Sequence, residues 1–327
     1  MKEISIQNFC EENNISYLSN CIDNEVLNYC EFEQIYVDSE MHSVVTSDFC
    51  IFDNFERFLN PKKYRDKFLL NSEVIKEKIK SSKTISEPSF YIGGENNYWH
   101  LIRDFIPKLN ILYEENYQNN INLLVNSNLT ENYFKILNFF VKKLNLNHLQ
   151  ISKLNDAFYK CNKVIVSARP TMEYSINFYD KFIVNELARK DESRNFYISR
   201  DLASKRKIVN ENEIINILKK YNYDVVYCEN LTFEEQIKIF SNAKNVIAPQ
   251  GAGLTNLFWS QKGINILELS SQVVQPFFHI LAGAKGINFF RIVGKDVNPH
   301  SYENPNNRNY FINESLLEHV IINQKLY

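Results

Sequence analysis

Two stretches of the chain set reactive side chains beside glycine turns. The first is Gly93-Gly94-Glu95-Asn96-Asn97-Tyr98-Trp99-His100-Leu101-Ile102-Arg103-Asp104. Read as a helix opening at residue 97, it places Asn97, His100 and Asp104 at i, i+3 and i+7, on one face. A carboxylate four residues past a histidine orients the ring and raises its basicity, which suits a general base. Glu95, just before the helix, is a second carboxylate able to take that part. Asn97 and Trp99 flank the base and are the candidates for acceptor contact. The plainer alternative is that His100 only satisfies a local hydrogen bond.

The second stretch is Pro249-Gln250-Gly251-Ala252-Gly253-Leu254-Thr255-Asn256, which follows the apolar run at 245–248. A strand, a glycine-rich turn and a helix N-terminus leave backbone N–H groups aimed at one spot, and the helix dipole adds positive potential there. Phosphate is the matching ligand, so Gln250, Gly251, Ala252, Gly253, Leu254 and Asn256 form a candidate donor-binding turn. A tight turn needing glycine for its own geometry explains the same residues. Arg200 ends the strand-like run at 195–199, and Arg206 follows six residues later. Guanidinium groups there can pair with phosphate oxygens. Glu268 ends the apolar run at 264–269, where a carboxylate accepts from ribose hydroxyls or joins an ion pair.

These residues need a frame, and the second half of the chain spells one. Strand-like runs at 195–199, 224–228, 245–248, 264–269 and 287–293 alternate with helical periodicity at 210–221, after the Thr232/Glu235 capping box, and at 276–285. Five strands with short helical crossovers predict a parallel sheet covered on both faces, with ligands at the strand C-termini. The first half reads as α/β as well. It has strands at 89–92, 122–125 and 163–167, helices at 97–113 and 131–144, and about 85 preceding residues of unassigned structure. The lysine-rich segment 61–83 reads as a helix whose charges face solvent or anionic lipid.

Composition narrows the classes. A chain of 327 residues and 38.6 kDa predicts about two domains. A net charge of −2 argues against a dedicated nucleic-acid binder. No apolar run reaches the length of a membrane span, and the N-terminus lacks the plan of a signal peptide, so the expected address is cytoplasmic, with peripheral contact at the inner face of the membrane. Six cysteines without a C-x-x-C pair read as free thiols. Histidines without metal-ligand spacing, and aspartates none of which is followed two residues on by another, predict no metal and no cofactor.

The motifs also come in a recognisable order. N-x-x-H-x-x-x-D-x-x-P-x-L from Asn97, S-R-x-x-A-x-x-R-x-I-x-N-E from Ser199, E-E-Q from Glu234, G-A-G-L-T-N from Gly251 and I-L-E-L from Ile266 together resemble glycosyltransferase family 61. The resemblance implies a GT-B-like α/β fold, two Rossmann-like domains facing each other across a cleft. It also implies an inverting glycosyltransferase, with a nucleotide-sugar donor, UDP the expected nucleotide, held by the C-terminal domain. The accompanying division is 1–185 for the acceptor domain, 186–305 for the donor domain, and 306–327 for a tail helix packing back on the acceptor domain. The expected acceptor is a glycan or lipid-linked glycan of capsule or lipopolysaccharide assembly. Gln250 stands where the family usually carries histidine, so a neutral amide replaces a titratable group. A sugar-nucleotide epimerase or hydrolase, and a non-catalytic glycan- or nucleotide-binding module, are the alternatives.

Overall fold

A computed structural model of the chain describes residues 3–4, 17–22, 25–39, 43–45, 51–52, 72–117, 121–184 and 193–327. Two compact units emerge, Met1–Phe178 and Tyr179–Tyr327. The division falls ahead of the boundary expected at 185/186. Tyr179 is committed to the second unit, its ring packed edge-on against Phe258 and Trp259 with centroids 5.3 and 4.7 Å away.

In the first unit, the described residues form a ten-stranded mixed sheet. Its labelled strands are β1 (Tyr17–Ile22), β2 (Glu25–Asp38), β3 (Ser43–Val45), β4 (Lys83–Ile85), β5 (Ser89–Gly93), β6 (Asn122–Asn126), β7 (Gln150–Leu154) and β8 (Phe158–Ser167). Two short strands, Glu3–Ile4 and Ile51–Phe52, complete one edge. The strands β8-β5-β6-β7 are parallel in that order. β2 then pairs antiparallel with β8, from Phe158 against Asp38 to Ser167 against Tyr29. The early region left unassigned by the sequence therefore contributes antiparallel strands that widen the same sheet. The fully buried Phe90, Leu123, Leu124, Val164 and Val166 make the sheet's centre. Helix α1 (Ser72–Lys80) stops before Lys83, which opens β4, so the lysine-rich helix is shorter than predicted; residues 61–71 lie outside the described set. Cys30 is disulfide-bonded while Cys161 and Cys228 are free, which corrects the expectation of six free thiols.

The second unit holds a five-stranded sheet, all parallel. Its strands are β9 (Arg194–Ile198), β10 (Asp224–Val226), β11 (Ala243–Pro249), β12 (Asn265–Ser270) and β13 (Asn288–Val293), in the order β10-β9-β11-β12-β13. Helix α2 (Glu211–Lys220) buries Ile214, Ile217 and Leu218 beside Ile247, Leu267 and Leu269. Helix α3 (Phe233–Ser241) begins with the predicted capping box, Thr232 and Glu235 satisfying each other's backbone N–H. The chain builds β9, crosses to β10 on one side, then returns to β11 on the other. The order thus reverses between β9 and β11, and ligands of such sheets bind outside the strand C-termini at that point.

The C-terminal tail departs from expectation. Its helix α4 (Glu314–Asn323) buries Leu317 and Ile321 in the same core as Ile214 and Leu218, and Tyr223 donates to the Leu326 carbonyl at 2.8 Å. It completes the second unit, because its apolar stripe finds the partner there that covers one face of the sheet. Among the described residues no helix is long and apolar enough to cross a membrane.

Candidate active site

In the first unit, β5 ends in Gly93 and Gly94, both with positive φ (84° and 130°), a turn only glycine takes without strain. The following helix is irregular: α-helical over Tyr98–His100, π-helical over Leu101–Phe105, 3-10 over Ile106–Lys108 and α-helical again over Leu109–Glu114. Pro107 accounts for the break. It has no N–H to give the Arg103 carbonyl, and the Ser175 hydroxyl donates there instead, at 2.7 Å. The π-turn keeps His100 over Asp104, with Nδ1 2.9 Å from Oδ2.

Asp104 is wholly buried and carries three partners. Beyond His100, the Arg103 guanidinium touches Oδ1, and Arg169 binds both oxygens, Nε to Oδ1 at 2.5 Å and Nη2 to Oδ2 at 3.1 Å. Burial alone would raise this carboxyl; the hydrogen bond from His100 and the two guanidinium charges outweigh it and hold Asp104 below the usual range. An ionised Asp104 obliges His100 Nδ1 to be the donor, which leaves Nε2 as the basic nitrogen. Burial pushes the nearby Lys108 ammonium down to about 8, against the opposing pull of Asp104. Its Nζ lies 3.5 Å from the Ile92 carbonyl at the end of β5.

The other predicted residues here are placed differently. Asn97 caps the helix, its side chain accepting from the Trp99 N–H at 3.0 Å. The Trp99 ring is buried in the core, whereas Tyr98 stacks on Tyr133 with centroids 6.2 Å apart. Glu95 has one carboxylate oxygen buried and without a hydrogen-bond partner. Arg169, which follows β8, was not singled out in the sequence; it comes from 65 residues beyond Asp104, a pairing that only the parallel β5–β8 contact creates.

In the second unit, Arg200 follows β9 and Gly251 follows β11, on the two sides of the switch point. A Cβ at Gly251 would collide with Arg200 Nη1, so a side chain there has to displace the guanidinium. Gly253 is different, for its Cβ would meet Ile198 at an ordinary 3.4 Å. The glycine freedom expected to serve ligand approach thus accommodates Arg200 at position 251. The segment Ala252–Trp259 is a 3-10 helix. Its first bond runs from Leu254 N–H to the Gly251 carbonyl (3.0 Å), leaving the N–H groups of Ala252 and Gly253 without helical acceptors. Arg200 Nη2 donates to the Lys205 carbonyl at 3.2 Å, while Nε of Arg200 and Nε of Arg206 are buried without partners. Burial, then the charge of Arg200, lowers the Arg206 pKa. Two guanidinium groups this close repel each other, a repulsion that an anion between them would relieve.

The remaining donor candidates divide. Glu268 is paired with Arg291 across β12 and β13, Oε2 to Nη2 at 2.9 Å. Burial raises its pKa, with Arg291 and Gln250 opposing. Gln250 Nε2 and Glu268 Oε1 are both buried and make no other hydrogen bond. Asn256 is structural: it donates to Gln236 (2.8 Å) and accepts from the Trp259 indole (2.9 Å), while Gln236 holds the Cys228 carbonyl (3.0 Å). Leu254 is fully buried and Ala252 exposed. Glu211 accepts from Tyr197 Oη (2.7 Å) and the Arg200 N–H (3.0 Å). Among the described residues no group of three or more His, Cys, Asp or Glu could hold a metal ion.

The profile of glycosyltransferase 61 matches residues 98–267, more than half of the chain. The chain belongs to glycosyltransferase family 61. The match contains both the His100–Asp104 pair and the Arg200–Gly251 turn of this family 61 member. No curated protein sequence matches it. Among solved structures it is similar to the iron-containing dodecameric glycosyltransferase TibC from enterotoxigenic E. coli (12% identity, TM-score 0.32, covering 57% of this chain and 59% of that one). It is similar also to the dodecameric iron-containing heptosyltransferase TibC in complex with ADP-D-β-D-heptose (10% identity, TM-score 0.33, 64% and 63%). The chain thus spans about three fifths of the length of these structures.

Proposed function

We propose that this family 61 member is an inverting glycosyltransferase that moves a sugar from a nucleotide-diphosphate donor to a hydroxyl acceptor, with UDP as the nucleotide. The observation that carries the reading is Arg200 seated over Gly251 at the switch point of a parallel sheet, with Arg206 beside it and the Nε of each buried without a partner among the described residues. Such an arrangement has the charge and the place to receive a diphosphate.

In the single displacement we propose, His100 Nε2 takes the acceptor proton while Asp104 holds the ring and balances the imidazolium that forms. The acceptor oxygen attacks the anomeric carbon, the bond to the diphosphate breaks, and its charge is met by Arg200, Arg206 and the N–H groups of Ala252 and Gly253. Fixed protein cations then do what a metal does elsewhere, so we propose turnover without a divalent ion. The acceptor we propose is a glycan hydroxyl, free or lipid-linked, of the kind used in surface-polysaccharide assembly.

The test is a thermal-shift screen against nucleotides and nucleotide sugars, since a ligand of the native state raises its melting temperature. A nucleoside diphosphate should raise Tm in the natural chain and fail to do so in Arg200→Ala. No shift with any nucleoside diphosphate would contradict the donor reading.

A further inference from the structure

Resting on the diphosphate reading of Arg200 and Arg206, we infer that residues 307–312 are a positioning strap that holds the arginine loop in place for the phosphates, with Asn309 and Tyr310 as its positioning residues.

The loop from Ser199 to Asn210 lies between β9 and α2 and has no regular structure of its own apart from an isolated bridge, Ile208 to Tyr310. It is held from outside by a ladder of bonds to the strap. Arg206 N–H donates to the Asn307 carbonyl (3.4 Å) and Lys207 N–H to Asn309 Oδ1 (2.9 Å). Tyr310 N–H donates to the Lys207 carbonyl (3.0 Å) and Val209 N–H to the Tyr310 carbonyl (2.9 Å). Asn210 closes it, its amide donating to the Ile312 carbonyl (2.9 Å) and accepting from the Ile312 N–H (3.1 Å). Arg206 itself has φ +58°, a left-handed conformation disfavoured for arginine that must be imposed by its neighbours.

Tyr310 joins this ladder to the glycine turn. Its hydroxyl donates to the Leu269 carbonyl at 2.7 Å, the same oxygen that accepts from Gln250 N–H at 2.8 Å. It is fully buried and sits within electrostatic reach of Arg200, Arg206, Glu268 and Glu211. Gly294 lets the strap come this close: a Cβ there would lie 2.6 Å from the Phe311 carbonyl oxygen. The strap lies beyond the family match, which ends at residue 267, yet it holds the backbone of Arg206 and of Lys207, which lie within that match. A loop ordered in advance loses less entropy when it binds, so the strap should act on affinity for phosphate and leave the contribution of the nucleoside untouched.

The experiment is calorimetric titration of the full chain with UDP and with uridine, at several salt concentrations, for Asn309→Ala, Tyr310→Phe and Arg200→Ala. Asn309→Ala removes one acceptor of the ladder, and Tyr310→Phe keeps the ring and removes only the bond to Leu269. Each should weaken UDP about fivefold, the scale of one hydrogen bond. Uridine affinity should stay unchanged, and the salt dependence of UDP binding should flatten. A mere loss of stability would weaken both ligands together or neither. If Arg200→Ala weakens UDP while both strap variants, folded, bind it as the natural chain does, the strap is refuted and the arginine site stands. If Arg200→Ala binds UDP unchanged, the diphosphate reading fails and takes the strap with it.

Discussion

Arg200 occupies the space that a side chain at Gly251 would need, its Nη1 lying where a Cβ would intrude. The two residues come from opposite sides of the point where the strand order reverses. Gly251→Ala should therefore displace the guanidinium and cost about 1.5–3 kcal/mol of nucleoside-diphosphate binding, the scale of a charge-assisted hydrogen bond. Gly253→Ala, facing Ile198 at 3.4 Å, should cost much less. Calorimetry on both variants decides; equal losses would show that the turn itself, and not Arg200, is what glycine protects.

Asn256 separates structure from binding. Its two bonds, to Gln236 and Trp259, tie the Ala252–Trp259 helix to the loop before α3. Asn256→Ala leaves buried polar partners unsatisfied and should cost about 1–3 kcal/mol of stability. Denaturant unfolding should show that loss while nucleotide affinity, measured well below Tm, stays within about twofold. A selective loss of affinity would return Asn256 to the donor site.

Asp104 should leave a mark on acid stability. Its folded pKa is depressed, so the folded state binds its proton less readily than the unfolded chain, whose carboxyl titrates near 3.9. The stability this contributes is present above that value and drains away as pH falls through the depressed folded pKa. Asp104→Asn should be less stable at neutral pH and lose less on acidification. It should also lower turnover about a hundredfold or more, because His100 loses the partner that fixes its tautomer. Unfolding curves that change in parallel with pH for both proteins would contradict the pairing.

The tail is part of the second unit's core. Leu317→Ala and Ile321→Ala, both fully buried against α2, should each cost about 2–5 kcal/mol. Chemical denaturation measures this directly, and a change below about 0.5 kcal/mol would mean the helix packs elsewhere.

How much could be read beforehand follows the physics of each half. In the second unit the two central strands are apolar runs buried on both faces, so 245–248 and 264–269 stood out and fall within one or two residues of β11 and β12. The 14-residue β2 did not, because Glu31, Glu33 and Gln34 interrupt its apolar alternation on the half-exposed side. His100 and Asp104 are local neighbours and were legible from spacing alone. Arg169 and Tyr310 were not, since their partners lie 65 residues away in one case and across a loop-to-strap ladder in the other. Asn256 and Trp99 are the opposite case: residue types suited to ligands are engaged in hydrogen bonding and core packing, which spacing does not reveal.

The central claim is transfer with inversion, and the stereochemistry of the product tests it most directly. Purified full-length protein, a nucleoside-diphosphate sugar of known anomeric configuration and a panel of glycan and lipid-linked acceptors would be followed by proton NMR in the presence of chelator. The account predicts a new glycosidic bond of configuration opposite to the donor's, formed without divalent metal and lost in His100→Ala. A product that retains the donor configuration, or turnover that yields only free or isomerised sugar with no acceptor-linked product, would contradict it.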